Sequence, residues 1–342
     1  RILCPQDMAG ALKIAVGVKG MWQAIGLVLT GATVLAGPGS VWAQEPAGAS
    51  RPTFRGGVEA VTLSVAVRDR QGRPVKDLTS RDFVVLDNGI SRVIRAFIPD
   101  EAAISLAVLL DISGSMAVSG NMDRARRVVE QTMARLQPGR DEAALLTFDH
   151  ELREVRAFTT DLARVASVSL AGQPWGLTSL YDAMAETARL VGDRPNPHRA
   201  VLVVTDGVDT GSRLTAAAVS GMASSINVPV YLVVVAGPVD NPARRLAALD
   251  VDGATTATAT LEDLTRWTGG DIAIISSPEE SAEALAGLVG ALRHQYLITF
   301  EPESRPGWHP LEVRTTRRRL SVHARGGYMA GPEAFPPVPT VE

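Results

Sequence analysis

The sequence predicts an α/β fold, a doubly wound, Rossmann-like and mostly parallel sheet with helices on both faces. A small all-β, sandwich-like unit made from the flanking segments is expected beside it. Three observations carry this prediction. Strands and helical patterns alternate from residue 104 to residue 294, as a sheet covered on both faces requires. Several of the strands are unbroken apolar runs, such as LAVLL (106–110) and VYLVVVA (230–236), the composition of strands buried on both sides. On either side of this region the texture is alternating β without helical periods.

Taken in order, VTLSVAVRD (61–69) alternates as a half-buried strand does, and RQGRPV turns the chain. LTSRDF (78–83) reads as a helical turn capped by Thr79 or Ser80. FVVLDNGISRVIRAFI (83–98) reads as a hairpin bent at Asn88-Gly89, the strongest short-range hairpin signal. The unit 58–100 has too few strands for a large core of its own. Within 101–296 the expected strands are 104–111, 142–149, 153–159, 200–206, 228–236 and 271–277. The second and third of these form a hairpin around His150-Glu151, giving one antiparallel edge strand. Helical patterns fill 122–136, 161–170, 179–191, 214–225, 241–249, 261–267 and 278–294. β texture returns in QYLITFEPE, HPLEVRT and LSVHARGGYMA, so 297–330 is expected to pack with the N-terminal unit, the core being inserted between them. The Pro-rich tail 331–342 is expected to be disordered.

The first 57 residues carry a different message. Lys13 and Lys19 precede an apolar stretch (21–37), and PGSVWAQ closes it with small residues at Val41 and Ala43. This is the layout of a secretory signal cleaved after Ala43, and the stretch is shorter than the ~20 residues that span a bilayer. QEPAGASRPTFRGG (44–57) is a linker. Export to the periplasm, the cell surface or the medium follows, with a membrane involved only through this segment if it stays uncleaved. Cys4 is the only cysteine, so the mature chain has no disulfide. The net charge of −3, from 34 basic and 37 acidic residues, argues against a nucleic-acid partner. The run Arg317-Arg318-Arg319 reads as an exposed hairpin end.

The chemistry gathers at strand ends, where open α/β sheets bind ligands. LAVLLDISGSM (106–116) sets Asp111, Ser113 and Ser115 on alternate positions beyond a core strand, with Gly114 expected to turn the loop so that both serines face one point. GQPWGLTSLYDAM (172–184) brings Thr178 to a helix start. VLVVTDGVDT (201–210) places Asp206 beyond another strand. These are hard oxygen donors without sulfur or imidazole, a set that selects Mg²⁺, Mn²⁺ or Ca²⁺ over zinc or copper. Five donors, partly acting through water, leave a coordination position open to an outside oxygen. Either serine alone is explained as a helix cap; the set of five is not.

The order Asp-x-Ser-x-Ser, then Thr178, then Thr-Asp-Gly resembles the metal-ion-dependent adhesion site of a von Willebrand factor A domain, over about 104–296. The flanks VAVRDRQGRPVKDLTSRDF (65–83), QYLITF (295–300) and VHARGGY (322–328) resemble those of a bacterial exported family related to it. The resemblance implies that Ser113, Ser115 and Thr178 contact the metal by hydroxyl, and Asp111 and Asp206 mostly through water. It also implies that a Glu or Asp carboxylate of a partner protein completes the shell, and that both ends of the domain lie opposite the metal. Trp175 stands where a small residue is more usual; it is either a partner-binding hot spot or a loop residue packed on its neighbours. Asp149, Asp182 and Asp209 flank the same sheet end. Of these, Asp149 and Asp209 are candidate partner-binding residues, with solvated or helix-start acids as the alternative.

A nucleophilic serine needs a base, and the histidines at 150, 198, 294, 309 and 323 fall in loops or β flanks. Neither Gly-x-Ser-x-Gly nor a P-loop occurs. ALDVDGATT (248–256) resembles a phosphatase nucleophile loop, but ARRLAALD before it reads as a helix. The expectation is a binding module without catalysis. A phosphatase-like hydrolase, built on the Asp250/Asp252 loop or on a metal-activated water, and a purely structural envelope subunit are the alternatives.

Overall fold

The computed structural model describes residues 60–168, 174–207, 209–237, 261–303 and 305–330. The signal-like segment, the linker, the helix expected at 241–249, the Asp250/Asp252 loop and the Pro-rich tail lie outside them.

The chain begins with β1 (Val61–Arg68), and a single turn of 3₁₀ helix over Ser80–Asp82 leads to β2 (Phe83–Asp87). That turn opens with the reciprocal cap of Thr79 and Asp82, a pairing that satisfies two otherwise orphaned amides. Asn88 and Gly89 both take positive φ (53° and 77°), as a two-residue hairpin needs. The returning arm β3 (Ile90–Arg92) is only three residues long. At Val93 the chain crosses over, and β4 (Ile94–Asp100) joins another sheet. The long hairpin read across 83–98 is therefore three strands, β2 and β3 in one sheet and β4 in the other.

The core follows as β5 (Ile104–Asp111), α1 (Asn121–Met133), β6 (Glu142–Phe148), β7 (Leu152–Thr159), α2 (Leu162–Ala166) and α3 (Leu180–Gly192). It continues through β8 (His198–Thr205), α4 (Ala216–Ser225), β9 (Val230–Val235), α5 (Leu261–Thr268), β10 (Ile272–Ile275) and α6 (Pro278–Arg293). The strand order is β10-β9-β8-β5-β6-β7, parallel except for the edge pair β6–β7. Alternation along β5 feeds two apolar layers. Leu106, Val108 and Leu110 meet α1, α2 and α6; Ala107 and Leu109 meet α3, α4 and α5. The fold class expected from the sequence is the one found.

The chain closes with β11 (Gln295–Phe300), β12 (Gly307–Thr315), β13 (Ser321–His323) and β14 (Gly327–Ala330). Two four-stranded sheets result, β13-β1-β11-β4 and β14-β12-β2-β3, each mixing strands from before and after the core. Leu63, Val85, Phe300 and Tyr328 are among the side chains that fill the space between them. Only two links join sandwich and core, β4 to β5 and α6 to β11. They run side by side, since Gln295 pairs with Asp100. A buried ion pair sits at this crossing: Asp141 accepts from Arg293 and from the amides of Ile104 and Gln137. On the flank, Arg325 donates to the Ser224 carbonyl at the end of α4 and Gly326 donates to the Trp267 carbonyl. A Cβ at Gly326 would collide with the Trp267 ring, so the ARGGY stretch has no room for a side chain there.

One histidine is not where the sequence placed it, and a second lies in the β flank as expected but fully enclosed. His198 opens the core strand β8 and is fully buried. His309 is buried in β12, its ring 3.0 Å from Asp87 and 3.2 Å from the Tyr328 hydroxyl. The His309 ring is held by polar groups distant in sequence, Asp87, Asn88 and Tyr328, which no local pattern reveals.

Candidate functional site

From β5 the chain steps outward to β6 and β7, then returns to β8 on the other side. The crevice beyond the C-terminal ends of β5 and β8 is thus the switch point where such sheets bind ligands. Asp111 is the last residue of β5 and is fully buried. One carboxylate oxygen accepts the Ser113 amide at 2.8 Å, and the other accepts the Thr205 hydroxyl at 2.6 Å. Thr205 ends β8 and in turn accepts the Gly207 amide. This bond across the crevice holds Asp206, also buried, beside Asp111.

Ser113 and Ser115 flank the start of a 3₁₀ turn over Gly114–Ala117, and their hydroxyls lie 3.2 Å apart. Ser113 is buried and Ser115 exposed. The Thr178 loop is stitched to both neighbours. Trp175 donates its amide to Ile112, and Gly114 donates to the Gly176 carbonyl. Thr178 donates to the Thr210 hydroxyl, while the amides of Thr210 and Gly211 donate to the Thr178 carbonyl. All five predicted oxygen donors therefore belong to three loops that hydrogen-bond one another at one end of the sheet.

Burial pushes Asp111 up to about 6, and the neighbouring Asp206 charge adds to this, against the hydrogen bonds from Thr205 and Ser113. Among the described residues no cationic side chain pairs with Asp111. Two adjacent buried carboxylates with hydroxyls around them form a donor set that fits a hard divalent cation. Histidine, cysteine and acidic residues alone do not gather in threes among the described residues, so hydroxyl donors are indispensable to such a site.

The flanking acids face inward. Asp149 accepts the Glu151 amide and Arg153. Asp209 accepts the Leu180 amide at the start of α3 and the Ser212 hydroxyl. Asp182 accepts the amides of Arg213 and Leu214. Each shapes a loop of the site, and contacts within the chain engage these carboxylates. Trp175, by contrast, is 82% exposed, with Leu177 at 59% and Val118 at 61% on the same loops. Thr205 was not singled out in the sequence, although a hydroxyl ending an apolar strand just before Asp206 is a usable signal.

Gly114 does not play the part expected of it. Its φ is ordinary, and an added Cβ would meet Gly176 at a comfortable 3.6 Å. Gly176 is the residue held at φ +94°. Gly114→Ala is expected to change stability by less than about 0.5 kcal/mol, and Gly176→Ala to cost about 1 kcal/mol or more, both read from urea midpoints.

Comparison with known proteins adds the following. A von Willebrand factor type A protein from Catenulispora acidiphila aligns at 14% identity and TM-score 0.43, over 74% of this chain and 75% of that one. An aerotolerance-related membrane protein from Bacteroides fragilis, carrying mutations to serine, aligns at 18% identity and TM-score 0.41, over 56% and 98%. A mutant of the PilB minor pilin from Streptococcus sanguinis aligns at 12% identity and TM-score 0.40, over 55% and 61%. No curated protein matches. The family model described as von Willebrand factor type A domain matches residues 106–208, the stretch that contains Asp111, Ser113, Ser115, Thr178 and Asp206.

Proposed function

We propose that this chain is an exported protein-binding module for adhesion or assembly, whose binding depends on a divalent cation, Mg²⁺ or else Mn²⁺ or Ca²⁺. Asp111, Ser113, Ser115, Thr178 and Asp206 hold the ion, and a Glu or Asp carboxylate of the partner protein completes its shell. The observation that carries this reading is the pairing of two buried carboxylates across the β5–β8 crevice, with three hydroxyl-bearing residues on loops bonded to it. A cation offsets the cost of burying the Asp111 charge, the main cause of its upward shift, and the smaller repulsion from Asp206. Catalysis has less to support it: among the described residues no histidine hydrogen-bonds Ser113 or Ser115, so a nucleophilic serine lacks its base. One form of the hydrolase alternative rests on Asp250 and Asp252, outside the described residues; the other, a water activated by the metal, shares the cation site. No described helix is long and apolar enough to cross a membrane.

The test is capture of partners from envelope and secreted fractions, in Mg²⁺ and in EDTA, by the native chain and by Asp111→Ala/Ser113→Ala. Binding only by the native chain in Mg²⁺ is the expected result; binding that survives EDTA or the double substitution overturns it. Trp175, Leu177 and Val118 give the site an exposed apolar rim. Trp175→Ala is expected to weaken partner binding roughly tenfold or more while leaving the cation affinity, measured by calorimetry, unchanged.

A further inference from the structure

The run Arg317-Arg318-Arg319, which reads in the sequence as a hairpin end, is half of a larger feature. Ser321 of β13 pairs with Arg68 of β1, so the turn before β13 lies beside the turn after β1. Thr316 donates its amide to the Asp82 carbonyl, and Arg317 bridges Asp77 and Asp82 at 2.9 and 3.0 Å. Segments 69–82 and 316–320, more than 230 residues apart along the chain, therefore form one rim of the sandwich.

This rim carries seven exposed cations against three carboxylates, in a chain of net charge −3. The carboxylates are already engaged, Asp69 by Arg73, and Asp77 and Asp82 by Arg317. Arg70, Lys76, Arg81, Arg318 and Arg319 remain exposed without an ion pair among the described residues. Arg319 is held at φ +68°, a conformation that glycine or asparagine adopts at less cost. Among the described residues the exposed large apolar side chains all lie elsewhere, so the rim lacks the apolar centre typical of a protein interface. Tyr296, whose hydroxyl bonds Val75 and Leu78 in this rim, is buried, so among the described residues no exposed aromatic stands there to stack on bases.

We propose that this rim docks the protein on an anionic phospholipid membrane. Dense exposed basic charge without an apolar anchor is what a diffuse layer of phosphate headgroups attracts, and guanidinium groups bind phosphate through paired hydrogen bonds. The proposal is independent of the cation reading. Lys76 shares a cavity of about 210 Å³ with Glu101 and His294, near the entry to β5. The cation site lies beyond the far end of that strand, so the two surfaces do not overlap.

The test is co-sedimentation of the full chain with vesicles of phosphatidylcholine containing 30 mol% phosphatidylglycerol, against pure phosphatidylcholine. The quantity read is the difference between the two, in which apolar insertion common to both cancels. The expected result is binding to the anionic vesicles that falls steeply between low and high salt. Arg70→Glu/Arg318→Glu/Arg319→Glu, none of them an ion-pair partner, is expected to lower that difference at least tenfold at an unchanged melting temperature. Reversal of Arg127 and Arg156, exposed on the core, leaves it unchanged. Equal binding to both vesicles, no effect of the triple reversal, an equal loss from the core reversal, or binding to duplex DNA alone overturns the proposal.

Discussion

Asp141→Ala is expected to lower the unfolding free energy by about 3–5 kcal/mol, the range for breaking a buried ion pair from one side. In a domain of this size that corresponds to a fall in melting temperature of roughly 10 °C. Asp141 is fully buried. It accepts both Arg293 nitrogens, at 2.8 and 2.5 Å, and the amides of Ile104 and Gln137. Its removal strands a guanidinium that is only 7% exposed and frees two amides. The pH dependence has a definite sign. Burial acts to raise this carboxyl, but Arg293 and the two amides outweigh it and hold it below its ordinary 3.8. A depressed carboxyl contributes stability above its unfolded value and loses it as pH falls through the folded one. The gap between native and variant in urea titrations is therefore widest at neutral pH and closes below about pH 4. A gap that is constant across this range contradicts the assignment.

Saturating Mg²⁺ is expected to stabilise the protein by about 2.7 kcal/mol at a hundredfold excess over its dissociation constant, several degrees in a thermal scan. Asp111→Ala and Asp206→Ala are each expected to abolish the shift. Each carboxylate is buried at the crevice, where water cannot replace a lost charge at little cost. Identical melting curves in Mg²⁺ and EDTA would remove the cation from the proposed function. A shift for the native chain, with no acidic partner captured under any condition, favours instead a purely structural ion.

The fold was legible because burial on two faces leaves no choice of residue: LAVLLD and VYLVVV are core strands wherever they occur in such a pattern. The turn at Asn88-Gly89 was legible for an equally local reason, its positive φ. The change of sheet at Val93 was not, because both arms are half-buried β and nothing local marks the partner. The site shows the same division. Motif spacing brought out Asp111, Ser113, Ser115, Thr178 and Asp206, which lie on three adjoining loops. It assigned to Gly114 a need that belongs to Gly176, and of the two alternatives it left for Asp209 the helix-start one agrees with the bond from the Leu180 amide. Asp141 had no signal at all, since its partner Arg293 is 152 positions away and neither belongs to a motif.

The side-by-side links between sandwich and core have a mechanical consequence. Tension between a partner held at the cation site and a sandwich held elsewhere leaves the core through β4 and β11 together, at the same end and in the same direction. The ladder between these two strands is then not strained, because both are drawn alike. Where the sandwich is held through β1, the load, shared with the flank bonds of Arg325 and Gly326, bears on the five residue pairs that join β11 to β1, from Val61–Phe300 to Val65–Tyr296. Those bonds lie across the direction of pull, so they are sheared together and must fail together. A joint of that geometry resists extension far better than one opened a pair at a time.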